Sequence, residues 1–245
     1  MEDTAPRHRW FTEARLGMFI HWGLFAQPKG YWNGRPYYGV VEYLPQVFRI
    51  PNAQWAKLAA EFDPAGFDAR EWARVARQAG FKYVVITAKH HDGFAMFDSP
   101  SDPFNIVRAT PFARDPIAEL AEAVREEGLA FGFYYSQFLD WADPDASGND
   151  WDFPVSGRRF DDYMNRKALP QLRELLSQYG RIDLLWFDIP ATITPEQSRR
   201  FVEAARALQP DIVISSRIGN GYGDFETFGD NEIPPRAPDA KPWEA

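Results

Sequence analysis

Short apolar runs alternate along this chain with amphipathic stretches, and the runs end in polar residues. Five such runs lie over 16–23, 83–93, 131–136, 184–188 and 212–217, each rich in β-branched or aromatic residues. Their length and composition predict buried strands. Between them the apolar spacing turns helical. Trp55, Leu58, Ala59 and Phe62 predict a helix over 51–62. A second is expected after Asp68, whose side chain with Glu71 forms a capping pair, and it stops at Gly80. Further helices are expected over 116–127, 159–179 and 195–208. Strand and helix alternate without hairpin signals, which predicts a parallel sheet with right-handed crossovers.

Polar residues gathered at the C-terminal ends of successive buried strands are the way a (β/α) barrel assembles an active site. The runs end in His21, in His90 and His91, in Tyr135 and Ser136, in Asp188, and in Arg217. The expected fold class is therefore α/β, a TIM-like (β/α) barrel, as one catalytic domain over 1–245. A closed barrel has about eight strands, and only about five are visible. From Gly219 onward no clear strand or helix is expected, only polar residues with Pro234, Pro235, Pro238 and Pro242. The barrel is thus expected to be incomplete or degenerate. An open parallel sheet exposes an edge, so a homo-oligomer is expected.

Composition narrows the function. The formal net charge of −8 gives no basic face for phosphates, so no nucleic-acid partner is expected. With no cysteine there is no thiol nucleophile and no Cys-ligated zinc. No apolar run is long enough for a membrane span, and no signal-peptide core is visible, so the chain as given reads as cytoplasmic. A signal already removed would make it periplasmic or secreted. Aromatic residues reach 16%, well placed either to fill a core or to stack on a ligand.

Asp188 closes a strongly apolar run beside Trp186 and Phe187. A carboxylate there must be paired, protonated or used. The plainer alternative is a helix cap near Pro190. Adjacent histidines on a strand point to opposite faces, which argues against His90 and His91 sharing one metal ion. No Gly-x-Ser-x-Gly elbow is present, and the glycines at 219, 221 and 223 suggest a flexible active-site loop rather than a phosphate loop. What remains is carboxylate chemistry with imidazoles, a tyrosine and aromatic walls, the combination glycosidases use on sugars.

The strings over 11–23, 67–73, 82–94 and 185–188, with their His-Trp-Gly and Lys-His-His-Asp-Gly cores, resemble the α-L-fucosidases of glycoside hydrolase family 29. The similarity runs from about Trp10 to Glu244. It implies a retaining hydrolase of terminal α-L-fucose acting on fucosylated oligosaccharides or glycoconjugates, with no metal and no other cofactor. It places the nucleophile on Asp188 and the sugar-binding residues on His21, His90, His91, Tyr135, Trp186 and Arg217. Glu42 and Tyr43 resemble the family's Glu-Trp pair, with Tyr in place of Trp. For the acid/base the resemblance puts Asp230 first and Glu244 second, with Glu226 and Glu232 also open. Family members continue through the last barrel strands and usually a β-sandwich, both missing here. The competing readings are a catalytically weak or vestigial fucose-binding barrel, and a barrel glycosidase for another deoxy or galacto-configured sugar.

Overall fold

The computed structural model describes residues 6–230, 232–236 and 241–244. Each of the five apolar runs forms a strand: β1 (Gly17–Ile20), β2 (Tyr83–Lys89), β3 (Ala130–Tyr135), β4 (Leu184–Phe187) and β5 (Val213–Ile214). They pair in that order into one parallel sheet. Parallel strands covered on both faces carry continuous rather than alternating apolar sequence, which is why the runs stand out in this chain.

The principal helices are α1 (Arg9–Ala14), α2 (Ala69–Gln78), α3 (Pro116–Glu126), α4 (Leu169–Gln178) and α5 (Pro195–Leu208). The Asp68 carboxylate accepts the Glu71 N–H at 3.0 Å and starts α2, while Thr194 and Gln197 form a reciprocal capping box on α5. Two expected helices are broken. The stretch over 51–62 is one α turn (Asn52–Trp55) running into a tighter 3-10 segment (Ala56–Glu61). The stretch over 159–179 holds a π segment (Met164–Ala168) between Phe160–Tyr163 and α4. That wider turn carries Lys167 inward to Asp102 (2.5 Å) and Asp140 (2.9 Å).

Apolar side chains form two layers. The outer one lies between sheet and helices, with Ile86, Phe133 and Leu185 packed among residues such as Leu120, Leu172 and Phe201. The inner one gathers Val85, Tyr134, Leu184, Trp186, Val213 and Phe225. Alternate residues of one strand therefore serve different layers. Phe11 of α1 joins the inner layer, its ring centroid 4.5 Å from that of Phe225 and 5.9 Å from that of Tyr83.

The C-terminal segment departs from expectation. Phe225 pairs in parallel with Ser215 beside β5, and Glu226–Thr227 pairs in parallel with Trp243–Glu244. Both pieces are only two residues long and too polar to stand out as strands in the sequence. Among the described residues, the outer edge of β1 has no strand partner. Leu16 and Phe19, 50% and 40% exposed, lie along that edge.

Candidate active site

A cavity of about 910 Å³ opens at the C-terminal ends of the strands and reaches down to the uncovered side of β1. Its wall includes Phe19, His21, Glu42, Tyr43, His90, Tyr134, Trp186, Asp188, Arg217, Asp230 and Glu244. Asp188 follows β4 directly. Its backbone N–H donates to Gln137 Oε1 (2.9 Å), and the Gln137 amide nitrogen donates to the Arg217 carbonyl (2.9 Å). One buried amide thus locks together the chain segments that carry Asp188 and Arg217.

Both carboxylate oxygens of Asp188 are engaged. Oδ1 accepts from Arg217 Nη1 (2.8 Å) and from the Ile189 N–H (2.8 Å), and Oδ2 accepts from the Tyr134 hydroxyl (2.7 Å). Ile189 sits at φ +43°, a left-handed conformation that is strained for a β-branched residue. Four of the five Arg217 guanidinium N–H groups are used. Beyond Asp188 the guanidinium donates to Thr227 Oγ1 (3.1 Å), the Phe228 carbonyl (2.6 Å) and Asp230 Oδ1 (3.2 Å), and it lies 4.8 Å over the Trp186 ring. Asp188 is nearly enclosed, its side chain 10% exposed, whereas that of Asp230 is 80% exposed at the mouth.

His21 is presented by the bend after β1. Thr87 fixes that bend, its hydroxyl donating to the Ile20 carbonyl (3.1 Å) and accepting the Trp22 N–H (3.2 Å). The His21 ring packs edge-on to His90 and Tyr134. Burial lowers its pKa, with the charges of Glu42, Asp188 and Asp230 acting in opposition. His90 stacks flat on Tyr134 at 5.0 Å. Burial pushes its pKa well down, helped by His91, His21 and Lys89, and its buried Nδ1 has no partner among the described residues. His91 lies between Ser136 Oγ at Nδ1 (2.7 Å) and the Tyr43 hydroxyl at Nε2 (3.3 Å), with Asp188 Oδ2 3.5 Å from Nε2. Burial lowers the His91 pKa to about 4 against the opposing pull of Asp188. Tyr43 is pushed up to about 12, first by burial and then by Asp188 and Asp230.

Contrary to expectation, the adjacent histidines do not diverge. Strand β2 ends at Lys89, so His90 and His91 follow a turn rather than a pleat, and their ring centroids are 4.2 Å apart. With Asp188 they place three potential ligand atoms within 4.8 Å of one another. The Arg217 guanidinium sits on Oδ1 of Asp188 as its counter-charge.

Most of the expected residues converge, but Tyr135 does not. It faces the outer layer, donates to Gln171 Oε1 (2.8 Å) and lies under the Lys89 ammonium at 4.8 Å. Its neighbour Tyr134 reaches the cavity instead, because one step along a strand reverses the side chain. Tyr134 is the residue in register with Trp186, a pairing that the sequence of one strand does not reveal. The glycine loop is a second correction. Asn220 of that loop donates to the Ile193 carbonyl (3.1 Å) and Ser198 Oγ (2.9 Å), tying it to the start of α5 rather than the cavity. Sequence noted Ser136 only as the polar end of its run and did not single out Gln137, since neither type in isolation signals a site role.

Glu244 is not frayed. Strand pairing with Thr227 turns its carboxylate inward to accept from the Trp186 indole N–H. Burial raises its pKa to about 7, opposed by that bond and by Arg217. Its charge acts on Tyr83, at the start of β2, whereas the carboxylates acting on His21 are Glu42, Asp188 and Asp230.

A parallel α/β scaffold whose strand ends join carboxylates, imidazoles and one guanidinium defines a site for polar, uncharged ligands. Comparison with known proteins is specific. The family described as Alpha-L-fucosidase matches residues 1–245, and the chain belongs to that family. Tissue alpha-L-fucosidase of Rattus norvegicus is 32% identical over 265 residues, covering 99% of this chain and 54% of the relative. The tissue enzyme of Homo sapiens is 31% identical with the same coverage. The chain thus spans about half the length of these curated relatives. Among solved structures, an alpha-L-fucosidase from Lactobacillus casei, described in complex with its alpha-L-fucose product, is 44% identical. It superposes with a TM-score of 0.90 over 94% of this chain and 77% of its own.

Proposed function

We propose that this protein is a retaining exo-α-L-fucosidase, hydrolysing terminal α-L-fucose from glycans through a glycosyl-enzyme intermediate. Support comes from family membership and from one solved relative, a mutant of which is described in complexes with Fuca(1,6)GlcNAc and with 4-nitrophenyl-a-L-fucopyranoside. The observation that carries the mechanism is the Arg217 guanidinium, which holds Asp188 Oδ1 at 2.8 Å and Asp230 Oδ1 at 3.2 Å. Two carboxyl groups sharing one fork are close neighbours, which suits the short separation, about 5–5.5 Å, that retention requires.

In this reading Oδ1 of Asp188 is clamped by Arg217 and the Ile189 N–H, leaving Oδ2 the less committed oxygen. Oδ2 attacks the anomeric carbon, and the glycosidic bond breaks as Asp230 gives its proton to the leaving oxygen. A fucosyl ester of Asp188 remains. Asp230, now a carboxylate, takes a proton from water, which attacks the same carbon and releases Asp188. Phe19 and Trp186 supply the aromatic wall, His21, Glu42, Tyr43, His90 and Arg217 read the hydroxyls, and His91 backs Tyr43 and Asp188. No step uses a metal. One observation favours Glu244 as the acid instead: a carboxyl with pKa about 7 holds a proton at neutral pH. Its contact with Trp186, two residues before Asp188 on the same strand, puts it a layer beneath the reacting centre.

The fold that best accommodates this site is a (β/α) barrel, with residues 1–245 as one catalytic domain. The bridge from Ser215 to Phe225 and the pair beyond it extend the sheet's curl and support that reading. The uncovered edge of β1 is assigned to contact with a second copy of the chain, protecting Leu16.

The test is Asp188→Gly with an aryl α-L-fucoside. Turnover should nearly vanish while the fold persists, azide should restore part of it, and proton NMR of the wild-type product should show retained configuration first. An inverted first product would overturn the mechanism.

A further inference from the structure

We infer that Ser136 is a positioning residue: it fixes His91 as the Nδ1–H tautomer, so that Nε2 faces Tyr43 and Asp188 as a hydrogen-bond acceptor. Ser136 Oγ lies 2.7 Å from the Leu139 carbonyl oxygen and 2.7 Å from His91 Nδ1. A carbonyl only accepts, and a serine hydroxyl has one hydrogen. In a site where Ser136 is wholly buried, that hydrogen must go to Leu139, since two oxygen lone pairs would otherwise face each other unshielded. His91 Nδ1 then carries the hydrogen that fills the second contact.

The consequence falls on the opposite nitrogen. A neutral imidazole protonated at Nδ1 has a bare Nε2. Tyr43 donates its hydroxyl hydrogen there at 3.3 Å, consistent with a phenol held protonated up to about 12. The carboxylate oxygen of Asp188 at 3.5 Å from Nε2 would by itself favour the other tautomer, in which Nε2–H donates to Oδ2. Ser136 opposes that preference from behind the ring. It keeps His91 from tying up Oδ2 and leaves Nε2 to accept from Tyr43.

The kinetic consequence rests on the fucosidase reading, but the tautomer does not. The primary test is nitrogen-15 NMR of protein labelled at histidine, between pH 5 and 8. Wild-type His91 should show a protonated Nδ1 and a bare Nε2. Ser136→Ala should move the hydrogen to Nε2, Ser136→Thr should restore it to Nδ1, and Tyr43→Phe should leave it at Nδ1. On an aryl α-L-fucoside, Ser136→Ala should lower kcat on the order of 10- to 100-fold, more than it raises KM. A bare Nδ1 in the wild type, an unmoved hydrogen in Ser136→Ala, or a switch caused by Tyr43→Phe would each overturn the inference. A wild-type protein with the expected spectrum but no fucosidase activity would instead refute the proposed function.

Discussion

Replacing Glu244 by glutamine removes a titration while keeping the oxygen that the Trp186 indole needs. Burial raises the folded pKa of Glu244 from 4.5 to about 7. Between those values the native chain holds a proton that the unfolded chain has released. Wild-type stability is therefore greatest below the unfolded pKa and declines as pH rises through the window, after which it levels. A tenfold difference in proton affinity between the two states is worth about 1.4 kcal/mol, so the loss accumulates to roughly 3 kcal/mol by pH 8. Glu244→Gln does not titrate and escapes it. Urea unfolding at pH 5, 6, 7 and 8 should show the variant close to wild type at pH 5 and more stable by roughly 2–3 kcal/mol at pH 8, with unchanged m-values. Parallel stability profiles would refute the linkage, because they would mean that the carboxyl titrates alike in both states. The same variant also informs catalysis. If Asp230 is the acid/base, Glu244→Gln should retain turnover of substrates with poor leaving groups.

Asp230→Ala should lose far more activity on poor leaving groups than on an activated aryl fucoside, and Glu244→Ala should lose both evenly; the reverse pattern transfers the role to Glu244. His21, His90 or His91 changed to Ala should each weaken fucose binding by roughly 1–3 kcal/mol in calorimetry, and a chelator should leave activity unchanged, whereas loss with recovery on added zinc would establish a metal. Activity should fall as pH drops through about 4, because protonated His91 would donate from Nε2 to Asp188 Oδ2 and lose its acceptor role; an acid limb that Ser136→Ala does not shift would speak against that cause. Light scattering should give at least twice the chain mass of 28.2 kDa, and a stable monomer would show that the β1 edge is covered some other way.

Local sequence carried the five strands, because continuous apolar runs stand out without their partners, four of them largely buried and β1 only partly so. It also carried the cap of α2, where side chain and backbone meet within three residues. Chemistry with a long, specific spacing was legible too: His21, His90, Asp188 and Arg217 line one cavity, and His91 stands behind it against Asp188. Phase was not. Whether Tyr134 or Tyr135 faces inward depends on the register of β3 against β4, a property of the pair rather than of either strand. The turn after Lys89 that brings His90 and His91 together is likewise tertiary, as is the π segment that delivers Lys167 to buried acids. The C-terminal segment is the extreme case. Its two short strands have no apolar periodicity of their own, and Glu244 acquires its buried place only because Thr227 and Trp186 receive it. Residue types able to form such a site, and the strands that carry most of them, were already set by the order of amino acids. Tertiary structure alone decided which side chains share the cavity, since a hydrogen bond or a desolvated charge exists only once distant segments meet.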